Sequence, residues 1–143
     1  MSWAVSLLFS SEGRTLYKFL GMDGHTRLRA AERFSLQDRQ WELIADMNEK
    51  RSDASACSCE VLSRIYCAGG FNGQECLFTA EFYCPLNKIW TQVTPMRSRR
   101  SGVSIISTGG DVYAVGGFDG TSRLKTAEVV SRFGLPLFHR THF

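Results

Sequence analysis

The chain has 143 residues, of which 43% are hydrophobic and 22% are charged, and its formal net charge is +3. This length suits one ordinary domain, and the balance of apolar and charged residues is typical of a folded soluble protein rather than a disordered one. Because the net charge is small and the apolar stretches are short, the composition favours neither a nucleic-acid partner nor a membrane partner.

Residues 1–15 are predicted to form an N-terminal strand region. The runs SLLF and TLYKFL flank the polar sequence SSEGR, which is typical of a β-hairpin with glycine in its turn. The opening residues, MSWAVSLLF, have no basic segment and only a short apolar run, so no signal peptide is predicted. We therefore expect a cytoplasmic protein with reduced thiols at Cys57, Cys59, Cys67, Cys76 and Cys84.

A glycine-rich motif then recurs, as LGMDG at 20–24, GGFNG at 69–73 and GGFDG at 116–120. Recurrence at nearly constant spacing indicates a structural repeat rather than three unrelated loops. Adjacent glycines indicate a backbone with positive φ or one that passes close to another segment. The paired glycines are Gly69, Gly70, Gly116 and Gly117.

Other residue types recur in the same register. Tyrosine precedes each motif, glutamate follows it, and tryptophan, methionine and an arginine–serine pair come later. The recurring residues are Tyr17, Tyr66 and Tyr113, then Glu32, Glu81 and Glu128, then Trp41 and Trp90, Met47 and Met96, Arg51 and Arg100. The repeats predicted from this register are a degenerate copy at 16–63, a second at 64–111 and an incomplete third at 112–132.

Each full repeat, counted from one glycine-rich motif to the next, contains four short apolar runs separated by turn residues. No repeat has a sustained helical period. Units of four strands at this spacing predict an all-β fold, a partial β-propeller with about two four-stranded antiparallel blades plus half of a third. Leu20 replaces the first glycine of the first motif, and leucine would be strained at positive φ. The pattern stops after Arg132, so 133–143 is predicted to be a divergent tail.

The paired glycines, Tyr66, Glu81, Trp90 and the ending from Met96 to Arg100 resemble the kelch repeat. The combinations GGFDG with RLKTAE, and PMRSRRSG, resemble the kelch-like (BTB–kelch) proteins in particular, over about residues 16–132. The resemblance implies that the glycines end an inner strand and that tyrosine and tryptophan pack blade on blade. The repeated glutamates are then internal acceptors, and the alternative is a catalytic role for them.

In the kelch-like family a separate BTB–BACK region binds cullin-3 while the propeller holds a substrate protein. The resemblance therefore implies a protein-binding module, similar to the substrate-recognition part of a cullin-3 E3 ubiquitin-ligase adaptor. No BTB–BACK pattern is found in these residues, so we expect the chain to be unable to bridge to the ligase alone. The alternatives are a kelch protein that binds actin or other cytoskeletal partners, and a non-functional truncated product.

The family's partner-binding positions map onto a small set of arginine, hydroxyl and polar residues. These are Arg51 and Arg100, then Thr79 and Thr126, then His25, Gln74 and Thr121. Arginine forks suit an acidic peptide segment because they bind carboxylates in a bidentate manner. The alternative is that both arginines pair with the repeated glutamates.

No sequence signature of an enzyme is present, since no nucleophile elbow, phosphate loop or HExxH run occurs. The Cys57–Cys59 pair lacks a second ligand pair, and the histidines at 25, 139 and 142 lie outside the predicted strands. Neither catalysis, a metal nor a cofactor is predicted. Two blades and part of a third leave apolar faces open, so we expect the chain to need a partner, self-association or further sequence.

Overall fold

The computed structural model describes residues 3–9, 15–131 and 141–142, and short strands make up most of them. The strands are β1 (Trp3–Phe9), β2 (Thr15–Met22), β3 (Ala31–Ser35), β4 (Gln40–Ile44), β5 (Ser55–Cys59), β6 (Arg64–Ala68), β7 (Ala80–Cys84), β8 (Ile89–Gln92), β9 (Ser104–Thr108), β10 (Asp111–Val115), β11 (Thr126–Ser131) and β12 (Thr141–His142). Within the described ranges the only helical element is one 3₁₀ turn, Glu60–Leu62. The predicted all-β fold is confirmed.

The strands form three antiparallel sheets, each of four strands in chain order. The first sheet is β1 to β4, the second is β5 to β8, and the third is β9 to β12. The third sheet has three full strands and a fourth of only two residues. The predicted strand pairing at the start of the chain is confirmed, because β1 pairs antiparallel with β2, whereas the predicted turn at 10–14 lies outside the described residues.

The first strands of the sheets lie together, since β1 contacts β5 and β5 contacts β9. This places β1, β5 and β9 at the inner edge, as in a propeller whose sheets radiate from a hub. Successive sheets then face each other, and each can cover one face of the next. The arrangement confirms a partial propeller.

The second sheet is covered on both faces, and its strand β6 is therefore apolar at successive positions. Ile65 and Cys67 belong to a buried cluster shared with the first sheet. Tyr66 and Ala68 belong to another cluster, shared with the third sheet. All four side chains are buried, which explains why β6 does not show the alternation of a half-exposed strand.

The glycine pair after β6 has both properties predicted for it. Gly69 and Gly70 have φ of +66° and +100°. A Cβ atom on Gly69 would lie 2.2 Å from the carbonyl oxygen of Arg100, and one on Gly70 would lie 2.5 Å from that of Ser52. Only glycine fits where the connecting segments pass so close.

The first motif, LGMDG, forms the corresponding connection without a glycine pair. Strand β2 continues through Leu20 to Met22, so the strain expected at Leu20 does not arise. The last glycine of every motif keeps its conformation, with φ of +101° at Gly24, +103° at Gly73 and +106° at Gly120.

The predicted tail lies mostly outside the described residues, apart from Thr141 and His142 in β12, which pairs with the start of β11. The predicted repeat boundaries stay a prediction; the second and third sheets each begin one strand before the repeat that starts at the tyrosine strand. No helix in the described part of the chain is long and apolar enough to cross a membrane.

Candidate partner-binding rim

The glycine motifs and the segments between sheets lie at one end of the fold. In an antiparallel sheet, the loop from the second to the third strand and the segment leaving the fourth strand are at the same end. We call this end the motif rim. It comprises the loops 23–30, 69–79 and 116–125 and the connecting segments 45–54 and 93–103. The opposite rim carries the turns from the first to the second strand and from the third to the fourth strand.

Arg51, in the first connecting segment, reaches into the second sheet. Its Nη1 donates to the carbonyl oxygens of Gly69 (2.9 Å) and Thr79 (3.0 Å), and its Nε donates to Glu81 Oε1 (3.1 Å). Its Nη2 also lies 3.1 Å from that oxygen, without hydrogen-bond geometry. The other oxygen of Glu81 accepts from the backbone and side-chain nitrogens of Asn48 at 2.8 and 2.9 Å. The pair thus joins the first connecting segment to the second sheet.

Arg100 repeats this arrangement one sheet later. Its Nη1 donates to the carbonyl oxygens of Gly116 (2.6 Å) and Thr126 (2.9 Å). Its Nη2 donates to Glu128 Oε1 and to the Thr126 hydroxyl, both at 2.8 Å. The repeat in the sequence is therefore also a repeat in side-chain contacts, and we call each arginine–glutamate arrangement a clasp.

Glu128 is the carboxylate of the second clasp. Burial raises its pKa, but the hydrogen bonds from the backbone of Arg97 (2.6 Å), from Arg100 and from the backbone of Ser98 (3.1 Å) outweigh burial. The net effect lowers the pKa of Glu128 below its ordinary value, so the carboxylate is ionised in the fold.

These contacts correct the prediction that Arg51 and Arg100 face a partner. Their exposed fractions are 1% and 0%, and their donors are aimed at internal carbonyl and carboxylate oxygens. A buried guanidinium group needs such partners, because an unpaired buried charge is costly. The structure therefore gives both arginines the alternative role, that of pairing with the repeated glutamates.

Glu32, in the first sheet, is held differently. In the repeat register the position of the clasp arginine falls at Ser2, and the cation comes instead from Lys18, directly opposite Glu32 on β2. The Lys18 amine lies 3.2 Å from the carboxylate. All three glutamates thus accept from a cation of the scaffold, which is the internal role that the resemblance implied.

The two mapped threonines also point inward. Thr126 is buried, and its hydroxyl accepts from Arg100. Thr79 is half-buried, and its hydroxyl donates to the carboxylate of Glu49. Both side chains therefore support the motif rim from below its surface.

The remaining mapped residues, His25, Gln74 and Thr121, are exposed at equivalent positions of the three motif loops. The backbone N–H of each donates to the side-chain oxygen two residues earlier, at 2.9, 2.9 and 2.7 Å respectively. The acceptors are Asp23, Asn72 and Asp119. These short-range bonds fix the loops while leaving the three side chains open to solvent.

Asp23 shows how firmly such a turn is held. Hydrogen bonds from the backbone of Thr26 (2.8 Å) and of His25 (2.9 Å), with a further one from the Thr26 hydroxyl, lower the pKa of Asp23 to about 2. Asp119 has a lowered pKa for the same reason, with Ser122 as its first donor. Both carboxylates are therefore ionised near neutral pH and can accept these hydrogen bonds.

An open cleft of ≈ 500 Å³ lies on the motif rim between the first and second sheets. Its lining is polar: Arg29, Asn48, Glu49, Lys50, Asn72, Gly73 and Gln74. Carboxamides offer a donor and an acceptor together, as the main chain of an extended peptide requires. Of the lining residues, the sequence pointed only to Gln74 as partner-binding.

The residue register extends the same surface toward the third sheet. The positions equivalent to Asn48, Lys50 and Asn72 are Arg97, Arg99 and Asp119. Arg99 is held by a 2.9 Å ion pair with Glu75 and lies over the ring of Phe78. These three positions thus change from Asn, Lys and Asn at the first junction to Arg, Arg and Asp at the second. Asn48 and Lys50 lie shortly before the clasp arginine Arg51 in the sequence. Their closeness to this recurring arginine could have identified them as residues of the motif rim.

The aromatic residues that recur in the repeats serve as packing surfaces between sheets. Trp90 is 9% exposed, its indole nitrogen donates to the carbonyl oxygen of Ala45 (2.7 Å), and its ring meets Phe19 edge-on at 5.5 Å. Tyr66 is fully buried and Tyr113 is half-buried. Within the described ranges no group of three or more metal-ligating side chains comes together.

Three radiating antiparallel sheets, glycine pairs after the second strand of the second and third sheets, and a rim of fixed loops define a β-propeller built of sequence repeats. The Kelch motif matches residues 52–97 and 99–131. These two matches cover more than half of the chain, and the chain belongs to the kelch-repeat family.

Curated relatives agree with this assignment. The chain is 32% identical to Kelch-like protein 8 of Caenorhabditis elegans over 126 residues, which are 83% of this chain and 18% of that protein. It is 31% identical to the Kelch repeat and BTB domain-containing protein F47D12.7 of the same organism over 112 residues, 76% of this chain and 19% of the relative. It is 37% identical to Influenza virus NS1A-binding protein homolog B of Danio rerio over 87 residues, which are 61% of this chain and 13% of that protein. The chain therefore spans less than a fifth of each of these relatives.

Proposed function

We propose that the chain is a protein-binding kelch module that holds its partner on the motif rim. The observation that carries this proposal is the combination of three loops fixed by internal hydrogen bonds with solvent-exposed side chains at equivalent positions. Rigid loops with exposed polar side chains reduce the entropy lost on binding. The exposed residues are His25, Gln74 and Thr121.

The partner we propose is an extended segment of another protein, laid along the rim between the first and third sheets. Its main chain would hydrogen-bond to the carboxamide of Gln74 and accept from the side-chain nitrogen of Asn72 in the ≈ 500 Å³ cleft, since the Asn72 oxygen already holds the loop. Arg97 and Arg99, further along the rim, favour acidic residues at that end of the segment, which would compete with the exposed Glu75 for Arg99. This keeps the acidic peptide as the partner and assigns it to surface cations instead of the buried clasp arginines.

The biological role we propose is the substrate-recognition part of a cullin-3 ubiquitin-ligase adaptor in the cytoplasm. Support comes from the kelch-repeat relatives, one of which carries a BTB domain in its name. In that family the BTB region contacts cullin-3, so we expect the three sheets described here not to bind cullin-3 themselves. Purified cullin-3 should therefore fail to co-elute with this chain.

Photo-crosslinking from defined positions tests the proposal. A photoreactive amino acid in place of Gln74 or Thr121 should capture a protein, whereas the same amino acid at Leu86, which is 88% exposed on the opposite rim, should not. Overlapping peptides of the captured protein should then contain one acidic segment whose affinity falls at least tenfold when Arg97 and Arg99 are replaced by alanine. Equal capture from both rims, or a segment indifferent to both arginines, would disprove the proposal. Filamentous actin as the captured species would favour the cytoskeletal alternative.

A further inference from the structure

The two sides of each sheet have different roles in the stack. We call the side that packs against the preceding sheet the leading face, and the side that packs against the following sheet the trailing face. Where the first and second sheets meet, Tyr17 and Phe19 are on the trailing face, and Tyr83 and Trp90 are on the leading face. Tyr17 contacts Tyr83 with ring centroids 6.1 Å apart.

The first sheet has a leading face of the same design, and no sheet formed by the described residues covers it. In the repeat register Phe34 and Trp41 correspond to Tyr83 and Trp90. The Phe34 and Trp41 rings are 5.2 Å apart at 45°, against 5.4 Å and 46° for Tyr83 and Trp90. The exposed fraction of Trp41 is nevertheless 44%, against 9% for Trp90. The aromatic pair is therefore formed in the packing geometry before anything packs on it.

This open face carries a leucine at a position where its covered counterpart is polar. Leu43 lies two residues beyond Trp41 on the same strand, so both side chains are on one face, and it is 72% exposed. The equivalent residue in the second sheet is the polar Gln92. A large leucine beside an exposed tryptophan is a feature of surfaces that are buried in an assembly.

The charge on this face is already neutralised. Lys18 stands where the second and third sheets have the buried Cys67 and Ala114, and its amine pairs with Glu32 and lies 5.4 Å from the Trp41 ring centroid. An incoming sheet therefore does not have to bring an arginine for Glu32, as Arg51 is brought for Glu81. It needs only a matching apolar trailing face.

The third sheet carries such a trailing face. Tyr113 and Val115 correspond to Tyr17 and Phe19, and Val115 is 38% exposed. Ile106 is paired with Tyr113 across the strands, so it shares this face, and it is 58% exposed. In the described part of the chain, this trailing face and the leading face of the first sheet are the two ends of the stack.

We propose that two copies of this chain associate head to tail, with the trailing face of the third sheet of one copy covering the Phe34–Trp41 face of the first sheet of the other. The contact repeats between chains the packing that the structure shows within one chain. It is heterologous, so each copy uses a different face at the same contact.

Complementation between two variants tests this assembly in solution. The wild-type chain should show a mass that rises with concentration above 16.1 kDa in sedimentation or light scattering. Trp41→Glu removes the leading face, and Val115→Glu removes the trailing face; each variant alone should remain monomeric. An equimolar mixture retains one intact pair of faces and should form a dimer of one Trp41→Glu chain and one Val115→Glu chain.

Leu43→Glu is a second leading-face variant with a more exposed side chain, and it should behave as Trp41→Glu does. Leu86→Glu on the opposite rim is the matched control and should associate as the wild type does. A wild-type chain that is monomeric at all concentrations would overturn the proposal, as would a mixture that fails to form the dimer. Association that Trp41→Glu abolishes but Val115→Glu leaves intact would indicate a symmetric contact instead. Protection of Trp41 only after another protein is added would identify a different occupant.

Discussion

The Arg51 guanidinium group lies 3.1 Å from the Glu81 carboxylate, although the two residues are 30 positions apart, and neither side chain is exposed to solvent. Arg51 comes from the segment that leaves the first sheet, and Glu81 is on β7 of the second. The same relationship holds between Arg100 and Glu128 one sheet later. Each clasp therefore ties a connecting segment to the sheet that follows it. Its arginine also donates to carbonyl oxygens at both ends of the motif loop.

Glu81→Gln keeps the shape of the side chain but removes the buried counter-charge of Arg51, which is left with only the partly exposed Glu49, 3.5 Å from its Nη2. We expect a loss of about 3–5 kcal/mol in the free energy of unfolding, since breaking one partner of a buried pair exposes the full desolvation cost of the other. Urea denaturation followed by circular dichroism measures it. The control is Glu42→Gln at the Arg33–Glu42 pair, where the side chains are 32% and 52% exposed and the loss should be about 0–1 kcal/mol. Equal losses from the two variants would contradict this account of the clasp.

Gly69→Ala and Gly109→Ala separate backbone strain from steric contact. Their φ angles are similar, +66° and +60°, but an added Cβ would lie 2.2 Å from the Arg100 carbonyl oxygen at Gly69 and would meet nothing within 4 Å at Gly109. We expect Gly109→Ala to cost about 1–2 kcal/mol for the left-handed conformation alone. Gly69→Ala should cost at least twice that, because the segment carrying the second clasp arginine has to move. Thermal denaturation of both variants decides it; similar shifts in Tm would show that the close approach is unimportant.

The Glu128 carboxylate should make stability depend on acid pH. The pKa of Glu128 is lowered in the fold. Its stabilising contribution is therefore complete above the pKa of an unfolded glutamate, about 4.3, and is lost as the pH falls through the lower pKa of the folded state. Wild-type protein should therefore lose more stability below about pH 4 than Glu128→Gln does, and the gap between them should narrow. Urea midpoints at pH 7, 5, 4 and 3 measure this, with Glu60→Gln on the opposite rim as the control for one lost negative charge. A gap that stays constant over this range would refute the linkage.

The cysteines should differ in reactivity despite all being free thiols. Burial raises the pKa of Cys57 to about 12 and that of Cys67 to about 11, so neither forms the reactive thiolate at pH 8. Cys84 is only half-buried. Brief treatment of the native chain with iodoacetamide should label Cys84 first, as read by peptide mass spectrometry.

The denatured chain is the control for that experiment, and all five cysteines should then be labelled. Labelling of Cys57 or Cys67 in the native chain as fast as Cys84 would show that β5 and β6 open readily. It would also weaken the case for a rigid second sheet beneath the motif rim.

Much of the fold could be predicted because the features that specify it are local. Gly69 and Gly70 show their backbone requirement in the sequence itself, and the spacing from Tyr66 to Trp90 contains every strand of one repeat after the first. Even the degenerate first copy forms a sheet, and in it Lys18 on the opposite strand supplies the cation that pairs with Glu32. Repetition made the signal strong enough to read without any knowledge of contacts.

The candidate site could be predicted only in part. The sequence singled out His25, Gln74 and Thr121 through the resemblance alone. The structure places them in the motif loops, where an Asp or Asn two residues earlier holds each turn, and their partner-binding role stays a prediction. The sequence did not indicate which side chains of the connecting segments point inward, because these segments have neither the two-residue period of a strand nor the 3.6-residue period of a helix. Arg51 and Arg100 were therefore placed on the surface, whereas they lie in the interior.

The sequence by itself determined that short strands would recur, where glycine was required and where tyrosine and tryptophan occupy equivalent places in the repeats. Tertiary structure alone decided which charges are buried and which faces stay open, because both depend on segments about 30 residues apart meeting in space. Trp41 and Trp90 occupy the same place in the repeat, yet one is exposed and the other buried. The difference is physical and lies outside the repeat itself: a neighbouring sheet excludes water from Trp90, and no sheet within the described chain does so for Trp41.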